Sequence, residues 1–206
     1  MTRDPWDRRI QRANELAERW PTAAEILRFY VELAKFQRTI YGPNSWQGDI
    51  PEHLLERRPP PHMSDIWLAQ PVYEYQASQA VLTPGPVEPV CPFCASKPVA
   101  GVLRGEGEGA KRHLLCSLCS TEWEYRRVIC PNCGEEDQEK LPIYQTPEIP
   151  HVRIDACDTC HTYIKSVDLT KDGHAVPVVD EIAAVSLALW SEDHGYTKLT
   201  PNILGM

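Results

Sequence analysis

Cys91-Pro92-Phe93-Cys94 opens a stretch that continues through Cys116-Ser117-Leu118-Cys119-Ser120-Thr121 and Cys130-Pro131-Asn132-Cys133-Gly134 to Cys157-Asp158-Thr159-Cys160-His161-Thr162. All eight cysteines of the 206-residue chain fall in these four Cys-x-x-Cys pairs. A two-residue spacer lets a tight turn aim both sulfurs at one ion while backbone N–H groups of the turn point at the sulfurs. Two such pairs complete a tetrahedral S4 site suited to zinc or to a single iron. Twenty-one residues separate Cys94 from Cys116 and twenty-three separate Cys133 from Cys157, but only ten separate Cys119 from Cys130. The two longer gaps each fit a hairpin that returns one pair to another. Cys91, Cys94, Cys116 and Cys119 are therefore expected to close one site, and Cys130, Cys133, Cys157 and Cys160 a second.

A repeat supports that pairing. Cys-Pro-Phe-Cys at 91 recurs as Cys-Pro-Asn-Cys thirty-nine residues on, and Cys-Ser-Leu-Cys-Ser-Thr at 116 as Cys-Asp-Thr-Cys-His-Thr forty-one residues on. An interleaved pairing would break this symmetry. Cysteines buried only for packing would not share one spacing four times. A thioredoxin-type redox pair normally stands alone at a strand-to-helix turn. A closed thiolate site has no open position for water or substrate, which argues against Lewis-acid hydrolysis. Either the ions hold small ribbons together, which bury too little to fold unaided, or they are iron and redox-active. Cys130-Pro-Asn-Cys-Gly134 is rubredoxin-like, and the sequence does not choose between the metals.

Outward from the cysteines, Ile10, Ala13, Ala17 and Trp20 mark one face of a first helix that Pro21 ends. Thr22 and Glu25 form a capping-box pattern for a second, with Ile26, Tyr30, Leu33, Ala34 and Ile40 as its stripe and Gly42-Pro43 as its stop. Residues 43–63, with Pro59-Pro60-Pro61, read as an extended loop. Residues 64–82 are expected to hold a short helix and some strand. Short β-prone runs occupy 99–103, 123–128 and 163–167, and Gly105-Glu-Gly-Glu-Gly reads as a flexible turn, since no lysine and helix follow it as in a phosphate loop. One last helix is expected from about Asp180 to Gly195, burying Ile182, Val185, Leu187 and Leu189, before an irregular tail. His161, next to Cys160, is the one histidine placed for a supporting role at a metal site; His113 and His151 are expected on strand surfaces. The acidic run from Glu135 to Glu139 reads as a solvated loop, and no catalytic constellation stands out.

The net charge is −8 and the sequence pI about 5.4. Between residues 91 and 168, nine Lys and Arg face twelve Asp and Glu. A nucleic-acid-binding ribbon needs a basic stripe, so nucleic acid is not an expected partner. No apolar run reaches the ~18 residues of a membrane span, and the amino terminus lacks the apolar core of a secretory signal. Cysteine-rich chains outside oxidising compartments use thiols for metal rather than disulfides, and the expected location is the cytoplasm.

Three stretches resemble the FdhE family of formate dehydrogenase accessory proteins. They are the cysteine region, with Leu115-Cys-Ser-Leu-Cys-Ser-Thr-Glu-Trp123 as its most specific block; Leu27-Arg-Phe-Tyr-Val-Glu-Leu-Ala-Lys-Phe-Gln37; and Asp180-Glu-Ile-Ala with Gly195-Tyr and Pro201-Asn-Ile-Leu-Gly205. The likeness covers roughly residues 5–42 and 90–206, and the chain looks shorter than family members between the amino-terminal helices and the first cysteine pair. The resemblance implies two rubredoxin-type sites, each an iron or zinc ion on four cysteines, and the eight cysteines carry over as ligands. It also implies a cytoplasmic assembly factor that binds the formate dehydrogenase catalytic subunit and is not itself an enzyme. A rubredoxin-like electron-transfer protein is the alternative.

The expected fold is α+β. An N-terminal helical region with a Pro-rich linker (1–63) and a connecting segment (64–89) precede two tandem rubredoxin-like, zinc-ribbon units (90–128 and 129–170). A C-terminal helix and tail (171–206) follow.

Overall fold

The computed structural model describes residues 5–42, 63–82, 88–107 and 109–206. The loop expected over 43–63 lies outside them, save for Met63.

Helix α1 (Pro5–Arg19) and helix α2 (Ala24–Ile40) are joined by a 3-10 turn, Pro21–Ala23. The expected capping box does not form. Pro21, with its φ already near the helical value, starts the turn ahead of Thr22; Ala23 then takes the cap position of α2 and makes no side-chain hydrogen bond. Tyr30, Leu33 and Ala34 are buried as expected, whereas Ile26 and Ile40 are only half-buried. Trp6, Leu16, Leu27, Val179 and Ile182 fill the core they share. The inner face of α1 also carries Arg9 and Arg12, each 7% exposed, which hydrophobic periodicity does not reveal.

Residues expected as a short helix and strand form one helix, α3 (Met63–Gln79), with Pro71 inside it. Its buried residues include Gln70 and Glu74 beside Ala69 and Tyr73, so polar side chains interrupt the apolar period. Proline lacks the N–H that would bond the carbonyl four residues back. Here that carbonyl, Trp67 O, accepts instead from Gln37 Nε2 of α2 at 3.0 Å, and the same amide reaches Gln70 Oε1 at 3.1 Å. Gln37 is fully buried. Gln37→Met is therefore expected to destabilise the protein by ~1–3 kcal/mol, the cost of an orphaned buried acceptor. Urea unfolding of the two proteins measures it, and an unchanged midpoint would show that the proline-freed carbonyl needs no partner.

The rest of the chain builds one seven-stranded sheet in the order β3-β2-β1-β6-β5-β4, with β7 beside β6. The strands are β1 (Pro98–Glu106), β2 (Gly109–Cys116), β3 (Glu122–Glu124), β4 (Ile143–Gln145), β5 (Val152–Cys157), β6 (Thr162–Asp168) and β7 (Thr197–Lys198). Neighbours within β1-β2-β3 and within β4-β5-β6 are antiparallel, and the two meanders are fused by a parallel β1–β6 pairing running from Ala100↔Lys165 to Leu103↔Asp168. The first strand of one meander thus lies against the last strand of the other. Gly107, at φ 58°, turns β1 into β2, as the glycine-rich segment predicts. The run 123–128 is strand only up to Glu124, and the tail contains β7.

The single C-terminal helix is in fact two, α4 (Pro177–Ala183) and α5 (Val185–Asp193), broken at Ala184 (φ −80°, ψ 49°). In a continuous helix the Glu181 carbonyl would accept from Val185; here it accepts from Lys165 Nζ of β6 at 2.8 Å. The break also turns Leu189 outward, to 58% exposure, and leaves Val185 half-buried, while Ile182 and Leu187 are buried as expected. Helix α4 packs on both α1 and the β1–β6 junction, so it ties the helical layer to the sheet.

Candidate metal centres

The four Cys-x-x-Cys turns share one backbone design. The first cysteine N–H bonds the carbonyl five residues on: Cys91 to Ser96, Cys116 to Thr121 and Cys130 to Glu135, each at 2.9 Å. Cys157 and Thr162 pair directly as β5 meets β6. N–H groups inside the turns point at the first sulfur, as from Phe93 to Cys91, Leu118 to Cys116 and Asn132 to Cys130, all at 3.4 Å. The residue after each second cysteine is left-handed: Ala95 (φ 58°), Ser120 (φ 52°), Gly134 (φ 77°) and His161 (φ 51°). A left-handed residue bearing a Cβ costs ~1–2 kcal/mol. Gly134→Ala is accordingly expected to lose about 1 kcal/mol, because nothing within 4 Å would meet the new Cβ and only the backbone resists it. Thermal unfolding reads this out, and no loss of stability would contradict the left-handed assignment.

The structure brings the cysteines together as the gaps predict. Cys91, Cys94, Cys116 and Cys119 form one cluster and Cys130, Cys133, Cys157 and Cys160 another, with all sulfurs of a cluster within 4.8 Å of one another. The closest sulfur pairs are 3.3–3.6 Å apart in the first cluster and 3.7 Å in the second. No disulfide forms. A tetrahedron with metal–sulfur bonds of ~2.3 Å has sulfur–sulfur edges of ~3.8 Å, so both donor sets fit one tetrahedral ion that either zinc or iron could supply. Hydroxyls repeat as well: Thr121 Oγ1 lies 3.1 Å from Cys119 Sγ, and Thr162 Oγ1 lies 3.0 Å from Cys160 Sγ. These threonines are the last letters of the two matching Cys-x-x-Cys-x-Thr blocks. The repeat was the signal that could have marked them.

The two clusters sit in unlike surroundings. All four sulfurs of the first belong to residues at most 3% exposed, packed with Leu118 and beneath Ala69 and Tyr73 of α3. An ion pair fastens that cover. Arg9 Nη1 lies 2.9 Å from Glu74 Oε2, and the Ser120 hydroxyl donates to Glu74 Oε1 at 2.7 Å. In the second cluster Cys133 is exposed and Cys160 half-buried. Packed this closely, the thiols compete for protons. Hydrogen bonds with Cys116 and Cys119 draw Cys94 far below the usual thiol range, whereas those with Cys119 and Cys91 drive Cys116 far above it.

The histidines are placed differently from expectation. His161 is exposed, with its ring 6.3 Å from that of Tyr196, and its left-handed backbone follows the Cys157–Cys160 turn. His113 lies on β2 but is half-buried. His151 is not on a strand surface: it is 4% exposed, stacks on Trp20, and lies 2.8 Å from Asp180 Oδ1. Trp20, which follows α1, and Asp180 of α4 close over it. With Asp172 and Asp180 it forms a third group close enough for a cation, but Arg12 Nη2 already stands 2.7 Å from Asp172 and 2.6 Å from Asp180. Burial pushes the Asp172 carboxyl up, and the bonds from Arg12 more than reverse this. The group is an ion-paired joint between α1 and α4.

Residues 90–127 match the family model of the FdhE central domain, and residues 128–204 match that of the FdhE C-terminal domain. The chain belongs to the FdhE family. It is 41% identical to the FdhE homologue of Aquifex aeolicus over 116 residues, covering 56% of this chain and 41% of that protein. With the Shewanella oneidensis homologue it shares 30% identity over 188 residues, 88% of this chain and 60% of that one. The chain thus spans 41–60% of the length of these two curated relatives. The crystal structure of the FdhE protein from Pseudomonas aeruginosa superimposes with a TM-score of 0.77 at 22% identity, over 99% of this chain and 96% of that one, so the fold is shared. Among the described residues, no helix is long and apolar enough to cross a membrane.

Proposed function

We propose that this FdhE-family chain is a cytoplasmic accessory factor for formate dehydrogenase that binds the catalytic subunit during its maturation. In this reading each cysteine cluster holds one iron or zinc ion, in units spanning residues 90–128 and 129–170. The observation that carries it is the pair of complete four-sulfur cages, joined by one sheet, in a chain matched by both FdhE domains. A bound ion would supply the folding free energy that ribbons of this size lack. The chain's own residues do the rest. Turn N–H groups and the Thr121 and Thr162 hydroxyls steady the sulfurs, while the helical layer, fastened through Arg9–Glu74–Ser120, offers surface to a partner. With four protein ligands per ion no position is left for substrate, which supports an accessory role over a catalytic one.

An anaerobic pull-down from formate-respiring cells tests this, using the metal-loaded chain as bait beside a Cys116→Ser, Cys157→Ser variant. Recovery of the formate dehydrogenase catalytic subunit by the native bait alone is the expected result. A folded, metal-loaded bait that recovers no dehydrogenase would overturn the partner assignment.

A further inference from the structure

The two cysteine units repeat, but among the described residues the first has a cover drawn from another part of the chain. All four of its cysteines are buried. Phe93, Leu118 and Trp123, which pack around them, belong to the cysteine turns and β3, whereas Ala69, Tyr73 and Ala77 belong to α3. An ion within four such sulfurs is shut off from any chelator or carrier while that packing stands. The turns and β3 are bound to the ligands themselves, so α3 is the element whose departure opens a path. At the second cluster Cys133 is already exposed and Cys160 half-buried.

Helix α3 is divided at Pro71. Before it, Trp67 is held twice: its carbonyl accepts from Gln37 Nε2, and its indole Nε1 donates to the Ile203 carbonyl at 2.8 Å. At Pro71 a backbone hydrogen bond of the helix is missing, which makes it the place for a bend. Beyond it, residues 72–79 end with Gln76, Ser78 and Gln79 exposed. The Tyr75 ring meets Tyr41 of α2 edge-on at 5.6 Å, and Glu74 pairs with Arg9 of α1. The Ser120 hydroxyl completes that pair from the side of the cysteine turn, donating to Glu74 Oε1 at 2.7 Å and accepting from Arg9 Nη2 at 3.4 Å. Ser120 directly follows Cys119 and is left-handed, where glycine would fit without strain. What a serine brings to that position is its hydroxyl. The matching residue of the second unit, His161, is exposed.

We infer that residues 72–79 form a gate over the first metal site, hinged at Pro71 and latched to the cysteine turn through Ser120. Parting of Glu74 from Ser120 and Arg9 opens it and lets the ion in or out; closure traps the ion. The second site exchanges its ion without a gate. Because the latch residue adjoins a ligand, an ion that orders the turn also favours the closed gate, and the closed gate favours the ion to the same degree. The inference rests on the reading of the first cluster as a metal site.

The test mixes the full chain, loaded with zinc at both sites, with an excess of a colour-forming chelator. Zinc is expected to leave in two phases of equal size, the slow one from the first site. Ser120→Gly suits the left-handed backbone and removes the hydroxyl; it should speed the slow phase roughly tenfold, what a hydrogen bond to a charged group is worth. Tyr75→Ala, which loosens the same segment from its α2 side, should speed the slow phase as well. Neither variant should alter the fast phase. Hydrogen exchange followed by mass spectrometry should quicken across residues 72–79 in step with release, with α1 exchanging as in the native protein. The gate is refuted if both ions leave at one rate, if either variant leaves the slow phase unchanged, or if release quickens while residues 72–79 exchange as before. A chain that retains one zinc ion instead of two overturns the metal reading beneath it.

Discussion

Cys116→Ser is expected to cost the protein its fold, whereas Cys133→Ser should cost it one metal ion and leave most of the sheet standing. Both remove one proposed ligand, but the surroundings differ. Cys116 is fully buried at the end of β2, inside an apolar cluster that α3 covers. Structural zinc in small domains contributes ~10–16 kcal/mol to folding, comparable to the ~5–15 kcal/mol that holds a whole domain together. Loss of the first ion would remove the inner support of the joint between helices and sheet. Cys133 is exposed, in the irregular segment between β3 and β4. Metal-to-protein ratios and circular dichroism on the two variants give the answer. In the native protein, a thiol reagent added with a chelator should label Cys133 and Cys160 before any cysteine of the first cluster. Equal labelling rates, or equal loss of structure in the two variants, would show that the covering helix does not set the order.

Lys165→Met is expected to lower stability by ~3–5 kcal/mol, the penalty for stripping one partner from a buried ion pair. For a chain of this size that corresponds to a melting temperature lower by roughly 10 °C. Lys165 is 0% and Glu181 1% exposed. The lysine Nζ lies 3.1 Å from Glu181 Oε1 as well as bonding the carbonyl at the helix break. Lys198 and Asn202 complete the shell around the same carboxylate. Burial alone would push Glu181 up, but Lys165 and Lys198 hold it down, from 4.5 to about 2. A carboxyl depressed in the folded state stabilises fully above its unfolded value, and that stability is lost as pH falls through the folded one. The native protein should therefore lose stability as the pH drops from about 4.5 towards 2, and Lys165→Met should show less of that acid-side loss. A loss under ~1 kcal/mol in the variant, within the range of exposed pairs, would mean that Lys198 and Asn202 suffice.

How far the sequence could be read follows from what each residue's partner is. The cysteine clusters were legible because a Cys-x-x-Cys turn is local, and the gap lengths together with the repeat paired 91/94 with 116/119 and 130/133 with 157/160. The first two helices were legible from apolar spacing. Helix α3 was not, because Gln70 and Glu74 share its buried face with Ala69 and Tyr73, and because Pro71 normally ends a helix. Its missing hydrogen bond is supplied by Gln37, a residue on another helix. The break at Ala184 has the same origin, since the lysine that takes the freed carbonyl lies on β6. Arg9, Arg12, Arg112 and His151 are buried for partners more than ten residues away in sequence, and nothing local distinguishes them from solvated side chains. The fusion of the two meanders through β1 and β6 was likewise invisible, because strand order is decided by pairing between distant segments.

That fusion gives the sheet a direction. Each three-strand unit joins the next head to tail, first strand against last, with no two-fold axis relating them. Such a joint is open-ended: the outer edge of β4 presents what β1 presents to β6, and the outer edge of β3 presents what β6 presents to β1. A head-to-tail contact of this kind propagates into filaments unless something stops it. Here the brake is brevity, since β3 and β4 are three residues each and offer a neighbouring molecule too few rungs to hold. The protein thus uses between its own units a polymerising geometry that its short edges deny to everything outside.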